Sequence, residues 1–173
     1  SCADEKGHPL NEEQYENFQN ASSFFLFSKK SLANSSGIFR DEKYHFDMVR
    51  PGMCLYGLNP TAELDNPMKA VVKLEVPVLQ IRDTKPSQSV GYGASWLPEK
   101  DTTLATVQLG YADGFLRHLS NNGKLYWHGV PCPIRGRVSM DLVIVDLCDV
   151  PEDIRPRQGD LMEVLGSNQS ADD

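Results

Sequence analysis

The spacing of apolar residues changes character near Asn66. Upstream of it, helical and extended patterns alternate. Residues 9–20 open on Pro9, crowd acidic side chains into the first turns and set Tyr15 and Phe18 on one helical face, which predicts a helix. Residues 31–35 read as a short strand entering a polar turn, residues 37–40 as the start of a second helix, and the apolar run 48–56 as a buried strand. Downstream of Ala70 the grammar becomes that of strands. Runs at 71–81, 103–109, 124–129, 133–138, 141–147 and 160–166 are rich in β-branched and aromatic residues, with Gly, Pro or Asp between them. The segment 59–67, carrying Pro60 and Pro67, is the natural joint. Two domains are therefore expected: residues 1–66 with βα rhythm, and residues 67–173 mostly β. The first has too few elements to close a barrel or cover both faces of a sheet, so it is expected to be completed by further chain.

Composition narrows the function classes. With 173 residues, 40% of them hydrophobic, the chain can bury a core or two, and its net charge of −7 argues against nucleic-acid or membrane-surface binding. The cysteines, Cys2, Cys54, Cys132 and Cys148, show no CxxC spacing, and no leader-like or long apolar segment is seen, so a reducing cytoplasm is expected. His8, His45, His118 and His128 have no HxxH or HxxxH pairing, so no metal site is expected. The serines near Gly37 lack a GxSxG elbow, which weighs against nucleophilic serine chemistry. The start at Ser1 without methionine fits a processed terminus or a cut through a longer chain, and the motif content favours the cut.

Several segments carry candidate chemistry. Arg50 sits inside the run MVRPGMCLYG, and its guanidinium stays charged at every accessible pH, so whatever faces it must tolerate a fixed positive charge. A salt bridge to Asp47 or to another carboxylate is the ordinary alternative. In Asn34-Ser35-Ser36-Gly37 a hydroxyl and successive amides precede a helix start, which is an anion cradle; an N-cap without a ligand would look the same. Tyr92, in VGYGA, is a glycine-flanked tyrosine that serves either packing or acid–base work. Tyr111 in GYADGF, and Met140 and Asp141 in GRVSMD, fall near strand ends. Taken alone, Met140 reads as core filler, and Arg117 and Arg137 as surface charges.

Read together, NSSG, MVRPGMCLYG, VGYGASW, GYADGF and GRVSMD resemble the pyridoxal-phosphate-dependent alanine racemases over nearly the whole chain. The resemblance implies the end of a (β/α)8 barrel followed by an all-β C-terminal domain: residues 1–66 as the last βα units of the cofactor-binding barrel, and residues 67–173 as a β domain cut before its final elements. It implies a homodimer with shared active sites that interconverts L- and D-alanine by two-base proton transfer at Cα, supplying D-alanine for cell-wall peptidoglycan. Ser35 would contact the cofactor phosphate, with the Gly52 and Met53 amides sharing the load and Asn34 nearby. Arg50 would face the ring nitrogen and leave it unprotonated, weakening the electron sink and favouring racemisation over transamination. Tyr92 would act as the base on L-alanine, reaching into the partner subunit's site. A free phenol ionises near pH ~10, so that role calls for a neighbouring cation. The Met140 amide would meet the substrate carboxylate, Tyr111 would line the same pocket, Arg117 and Arg137 the entrance, and Asp141 would orient its neighbours.

The sequence departs from the family pattern at Ser139, where a cysteine is common, at Phe115, where a tryptophan is, and at Met53, where an isoleucine is. The lysine that the family joins to the cofactor is not among these residues, nor are the barrel's substrate-binding arginine, the histidine stacked on the ring and the late tyrosine at the phosphate. The chain alone is therefore expected to be inactive. Two other readings stand beside the racemase: a β-domain binding or assembly module without chemistry, and a broader-specificity amino-acid racemase of the same fold.

Overall fold

The computed structural model describes residues 2–173. These fall into two compact units, one running up to Val72 and including Ser170–Asp173, the other spanning Lys73–Gln169.

In the first unit, helix α1 (Pro9–Ser22) begins with the His8 side chain accepting the Leu10 N–H, and Pro9 occupies a position where a missing N–H costs nothing. Tyr15 and Phe18 do share a face, and both pack on Phe46, with ring centroids 5.8 and 5.0 Å apart. Helix α2 (Ser35–Ile38) starts two residues earlier than the pattern suggested and lasts a single turn.

The expected strands at 31–35 and 48–56 are not formed. Residues 31–34 and 48–52 are extended coil, and Met53–Tyr56 is a 3-10 turn with Met53, Leu55 and Tyr56 exposed. The two extended segments nevertheless run side by side in the same direction, joined by Asp47 N–H to the Lys30 carbonyl at 3.1 Å and Arg50 N–H to the Ala33 carbonyl at 2.9 Å. Such sparse bonds fall short of a ladder, because a parallel strand needs regular partners along its edge.

The second unit is a six-stranded antiparallel sheet, ordered β4-β3-β6-β1-β2-β5. The strands are β1 (Leu74–Thr84), β2 (Thr102–Gln108), β3 (Lys124–Trp127), β4 (Val130–Pro133), β5 (Leu142–Asp146) and β6 (Leu161–Leu165). Five of the six predicted runs overlap these strands closely. The run at 133–138 does not: the strand lies earlier, at β4, and the chain beyond makes one bridge, Ile134 with Val145, before turning irregular at Gly136 with φ +80°. A glycine held at positive φ breaks the extended path that β-branched neighbours favour.

β1 changes partners along its length. Leu74–Pro77 pairs with β6 and the portion from Val78 to Thr84 with β2, with register shifts on either side. Such bulges increase local twist. The twist lets the outer strands meet, since the Ile134–Val145 bridge and an Arg135 N–H to Ile144 carbonyl bond of 2.8 Å join the end of β4 to β5. The curled sheet encloses Val78, Val107, Leu125, Cys132, Val143, Val145 and Met162, all at most 1% exposed. Each such aliphatic side chain contributes about 1.5–3 kcal/mol by leaving water.

Burial, helped by the Asp146 carboxylate, pushes the Cys132 thiol up to about 12. The folded value lies above the unfolded one, so the stability it contributes is intact below about pH 8.5 and is lost as pH rises towards 12. Cys132 is therefore expected to resist iodoacetamide at pH 8 until the protein unfolds, and labelling under native conditions as fast as in urea would contradict this packing.

Candidate active site

Six residues singled out by sequence, Tyr92, Tyr111, Arg117, Arg137, Met140 and Asp141, line one cleft of about 450 Å3 in the second unit. Three backbone junctions assemble it. Val90 and Trp96 pair across the base of the Tyr92 loop, with the Val90 N–H on the Trp96 carbonyl at 2.9 Å. Arg135 stacks on the Trp96 ring at 5.1 Å while bonding Asp146 at 3.1 Å, so the base of the loop is tied to β5.

At the second junction, Gly91 and Gly136 meet backbone to backbone. A Cβ on Gly91 would lie 3.0 Å from the Arg137 nitrogen, and one on Gly136 would lie 2.9 Å from the Val90 carbonyl oxygen. Both have positive φ, +76° and +80°, so space and backbone conformation each demand glycine. The contact sets the Arg137 guanidinium against Gly93, where a Cβ would be 3.5 Å from its Cζ. Tyr92, next in the chain, is 72% exposed.

The third junction joins GYAD to SMD. The Tyr111 N–H bonds the Ser139 carbonyl and the Ala112 N–H the Met140 carbonyl, both at 3.0 Å. Asp113 folds back to accept the Gly110 N–H at 2.9 Å, and Ser139 closes the opposite turn by exchanging hydrogen bonds with Leu142. Arg117 lies over the Tyr111 ring at 6.0 Å, and Tyr111 and Met140 are both exposed to the cleft.

The sequence reading missed Gly110, Gly91 and Gly136 as determinants of the site. A tight turn accounts for a glycine as readily as a close approach does, and only coordinates separate the two. The Ser139 hydroxyl has a clear local role, because a weaker hydrogen-bonding group such as a thiol could not close the Leu142 turn as it does.

A second cluster lies in the first unit. The Asn34 side chain caps α2 by accepting the Gly37 N–H at 3.0 Å. The buried Ser35 hydroxyl accepts the Gly52 N–H at 2.8 Å, bringing NSSG and RPGM together. The Ser36 and Met53 amides each lie in the first turn of a helical segment, where N–H groups have no intrahelical acceptor.

Arg50 is exposed, contrary to the buried setting that its apolar neighbours predicted, because residues 48–56 form coil and a 3-10 turn instead of a strand covered in a sheet. Its Nη1 bonds the Ser31 carbonyl at 3.0 Å and the Ser31 hydroxyl at 2.6 Å, and its Nη2 bonds the Leu32 carbonyl at 3.3 Å. The expected alternative, an ion pair with Asp47, is not made; Asp47 accepts the Lys30 N–H at 2.8 Å instead. Among the described residues Arg50 has no carboxylate partner, and its Nε donates to nothing.

Two family models match the chain: alanine racemase, N-terminal domain, over residues 1–60, and alanine racemase, C-terminal domain, over residues 71–173. The chain belongs to the alanine racemase family. It is 47% identical to an alanine racemase of Rhodospirillum rubrum over 99% of its own length and 46% of the relative's. It is 45% identical to a catabolic alanine racemase of Mesorhizobium japonicum over 100% of its length and 45% of that protein. Among solved structures, the alanine racemase of Bartonella henselae with covalently bound pyridoxal phosphate superposes with a TM-score of 0.84 at 41% identity, over 97% of this chain and 46% of that one. The chain thus spans about half the length of the relatives it matches.

The junction at Gly110 makes a direct prediction. A Cβ there would land on the Met140 carbonyl, which is backbone and cannot swing aside. Gly110→Ala is expected to destabilise the protein by about 3 kcal/mol or to displace the 139–142 turn. Urea unfolding together with a crystal structure would check it, and an unperturbed variant would mean the junction is looser than described.

Proposed function

We propose that this chain is part of a pyridoxal-phosphate-dependent racemase that interconverts L- and D-alanine. The observation that carries the reading is the gathering of Tyr92, Tyr111, Arg137 and Met140 into one cleft of a chain that belongs to the alanine racemase family. In the whole protein, residues 1–66 would end a (β/α)8 barrel, residues 67–173 would form the β domain, and two subunits in the cytoplasm would share their active sites to make D-alanine for peptidoglycan.

The donors of the first unit suit a phosphorylated pyridine. The Ser35 hydroxyl accepts from Gly52 and so keeps its own proton to give to a phosphate oxygen, and the Ser36 and Met53 amides add donors at helix starts. The Arg50 Nε–H, which has no acceptor among the described residues, is the donor available to an unprotonated ring nitrogen. When bound, the cofactor supplies the electron sink that acidifies the substrate's Cα–H. Arg50 moderates that sink, since a permanent cation does not share a proton with the ring as a carboxylic acid would.

Tyr92 removes the Cα proton of L-alanine from one face, and a base on the opposite face completes the inversion. The Arg137 guanidinium is held against Gly93, the residue after Tyr92, and lines the same cleft. The Met140 amide receives the substrate carboxylate, Tyr111 closes the wall beside it, and Arg117 draws the anion towards the cleft mouth.

Two substitutions in the full-length protein test these roles. Tyr92→Phe is expected to lower turnover of L-alanine by roughly 100- to 10,000-fold while leaving the bound cofactor's absorbance unchanged; parental turnover would rule out Tyr92 as the base. Arg50→Glu is expected to raise side transamination relative to racemisation, measured as pyruvate formed per D-alanine, and an unaltered ratio would contradict control through the ring nitrogen.

A further inference from the structure

The loop between the Arg117 turn and β3 contains two adjacent polar residues, Ser120 and Asn121, that the proposed chemistry does not use. Their side chains make four hydrogen bonds, all to backbone. The Ser120 hydroxyl donates to the Arg117 carbonyl at 2.6 Å and accepts the Val138 N–H at 3.0 Å. The Asn121 carbonyl oxygen accepts the Gly136 N–H at 2.6 Å, and its amide donates to the Ser95 carbonyl at 3.3 Å. Gly136 and Val138 flank Arg137, so the pair grips the chain on both sides of that cation. Ser95 closes the loop that presents Tyr92, and Arg117 begins the turn that covers Tyr111.

Asn121 also has φ +57°, a left-handed conformation that asparagine tolerates better than most residues. That backbone turn is what lets consecutive side chains address different loops. We infer that Ser120 and Asn121 are positioning residues for the racemisation, together holding the Arg137 guanidinium in register with the Tyr92 phenol. The inference rests on the racemase reading for its kinetic consequence, but the junction itself does not.

The test uses the full-length protein with pyridoxal phosphate bound. Asn121→Gly keeps the left-handed backbone free of strain and removes only the side chain. Hydrogen exchange at the Gly136 amide is expected to accelerate, kcat to fall about tenfold with KM for alanine little changed, and the Cα-deuterium isotope effect to grow for L-alanine more than for D-alanine. A role confined to stability would leave the two isotope effects in their original ratio. Ser120→Ala should accelerate exchange at Val138 and lower kcat, and Ser120→Thr, which retains a hydroxyl, should recover most of that loss. Unchanged amide exchange in Asn121→Gly would overturn the junction, whatever the activity. Faster exchange with unchanged kcat and isotope effects would overturn the positioning role. A full-length parent protein without racemase activity would instead overturn the functional reading, and with it the kinetic role, while faster exchange in the same variant would still establish the junction.

Discussion

The closure of the curled sheet is the constraint on which the rest of the second unit depends. β1 must twist through two bulges for β4 and β5 to meet, and the meeting is slight: one bridge at Ile134–Val145 and one backbone bond from Arg135 to Ile144. From there to the start of β5 the chain is irregular. Gly136, Arg137 and Val138 leave the sheet at once, and the closure acts with the Ser120 and Asn121 side chains to fix them beside the Tyr92 loop and the Arg117 turn. Arg135 strengthens the weak point by joining Asp146 on β5 to the Trp96 ring at the foot of the Tyr92 loop.

The strands of the second unit were legible because each repeats an apolar face against one core. β5 buries Val143 and Val145 and β6 buries Met162 and Val164, which is the period-two signature that a half-buried strand leaves in sequence. Residues 133–138 misled because Ile134 and Val138 are buried, as strand residues would be, while Gly136 between them turns the chain away. Burial and alternation do not report hydrogen bonding, and here the two part company.

In the first unit the helix at Pro9–Ser22 declared itself through Pro9 and the Tyr15–Phe18 pair, whereas the extended segments did not resolve into strands. Apolar runs such as 48–56 are ambiguous in principle: they mark a surface to be covered without saying by what. Arg50 shows the cost of that ambiguity, since its apolar neighbours implied burial, yet Met48, Met53, Leu55 and Tyr56 are themselves exposed. The residue identities of the candidate site could be picked out from motifs, but the contacts that assemble it, Gly91 on Gly136 and Gly110 on Met140, pair positions far apart in sequence and leave no local mark.

Arg50 is steered mostly by main chain, through the carbonyls of Ser31 and Leu32, with the Ser31 hydroxyl as its only side-chain partner among the described residues. Arg137 differs, since the N–H groups of its neighbours Gly136 and Val138 are gripped by the side chains of Asn121 and Ser120. A cation aimed by peptide groups is indifferent to most changes in the residues that supply them. Position 32 can drift among side chains of any kind, provided the path of the chain survives. A chain that keeps fewer than half of these residues could therefore still hold the Arg50 charge pointed the same way, and the vocabulary of the surrounding sequence is left free to answer to folding, solubility and neighbours.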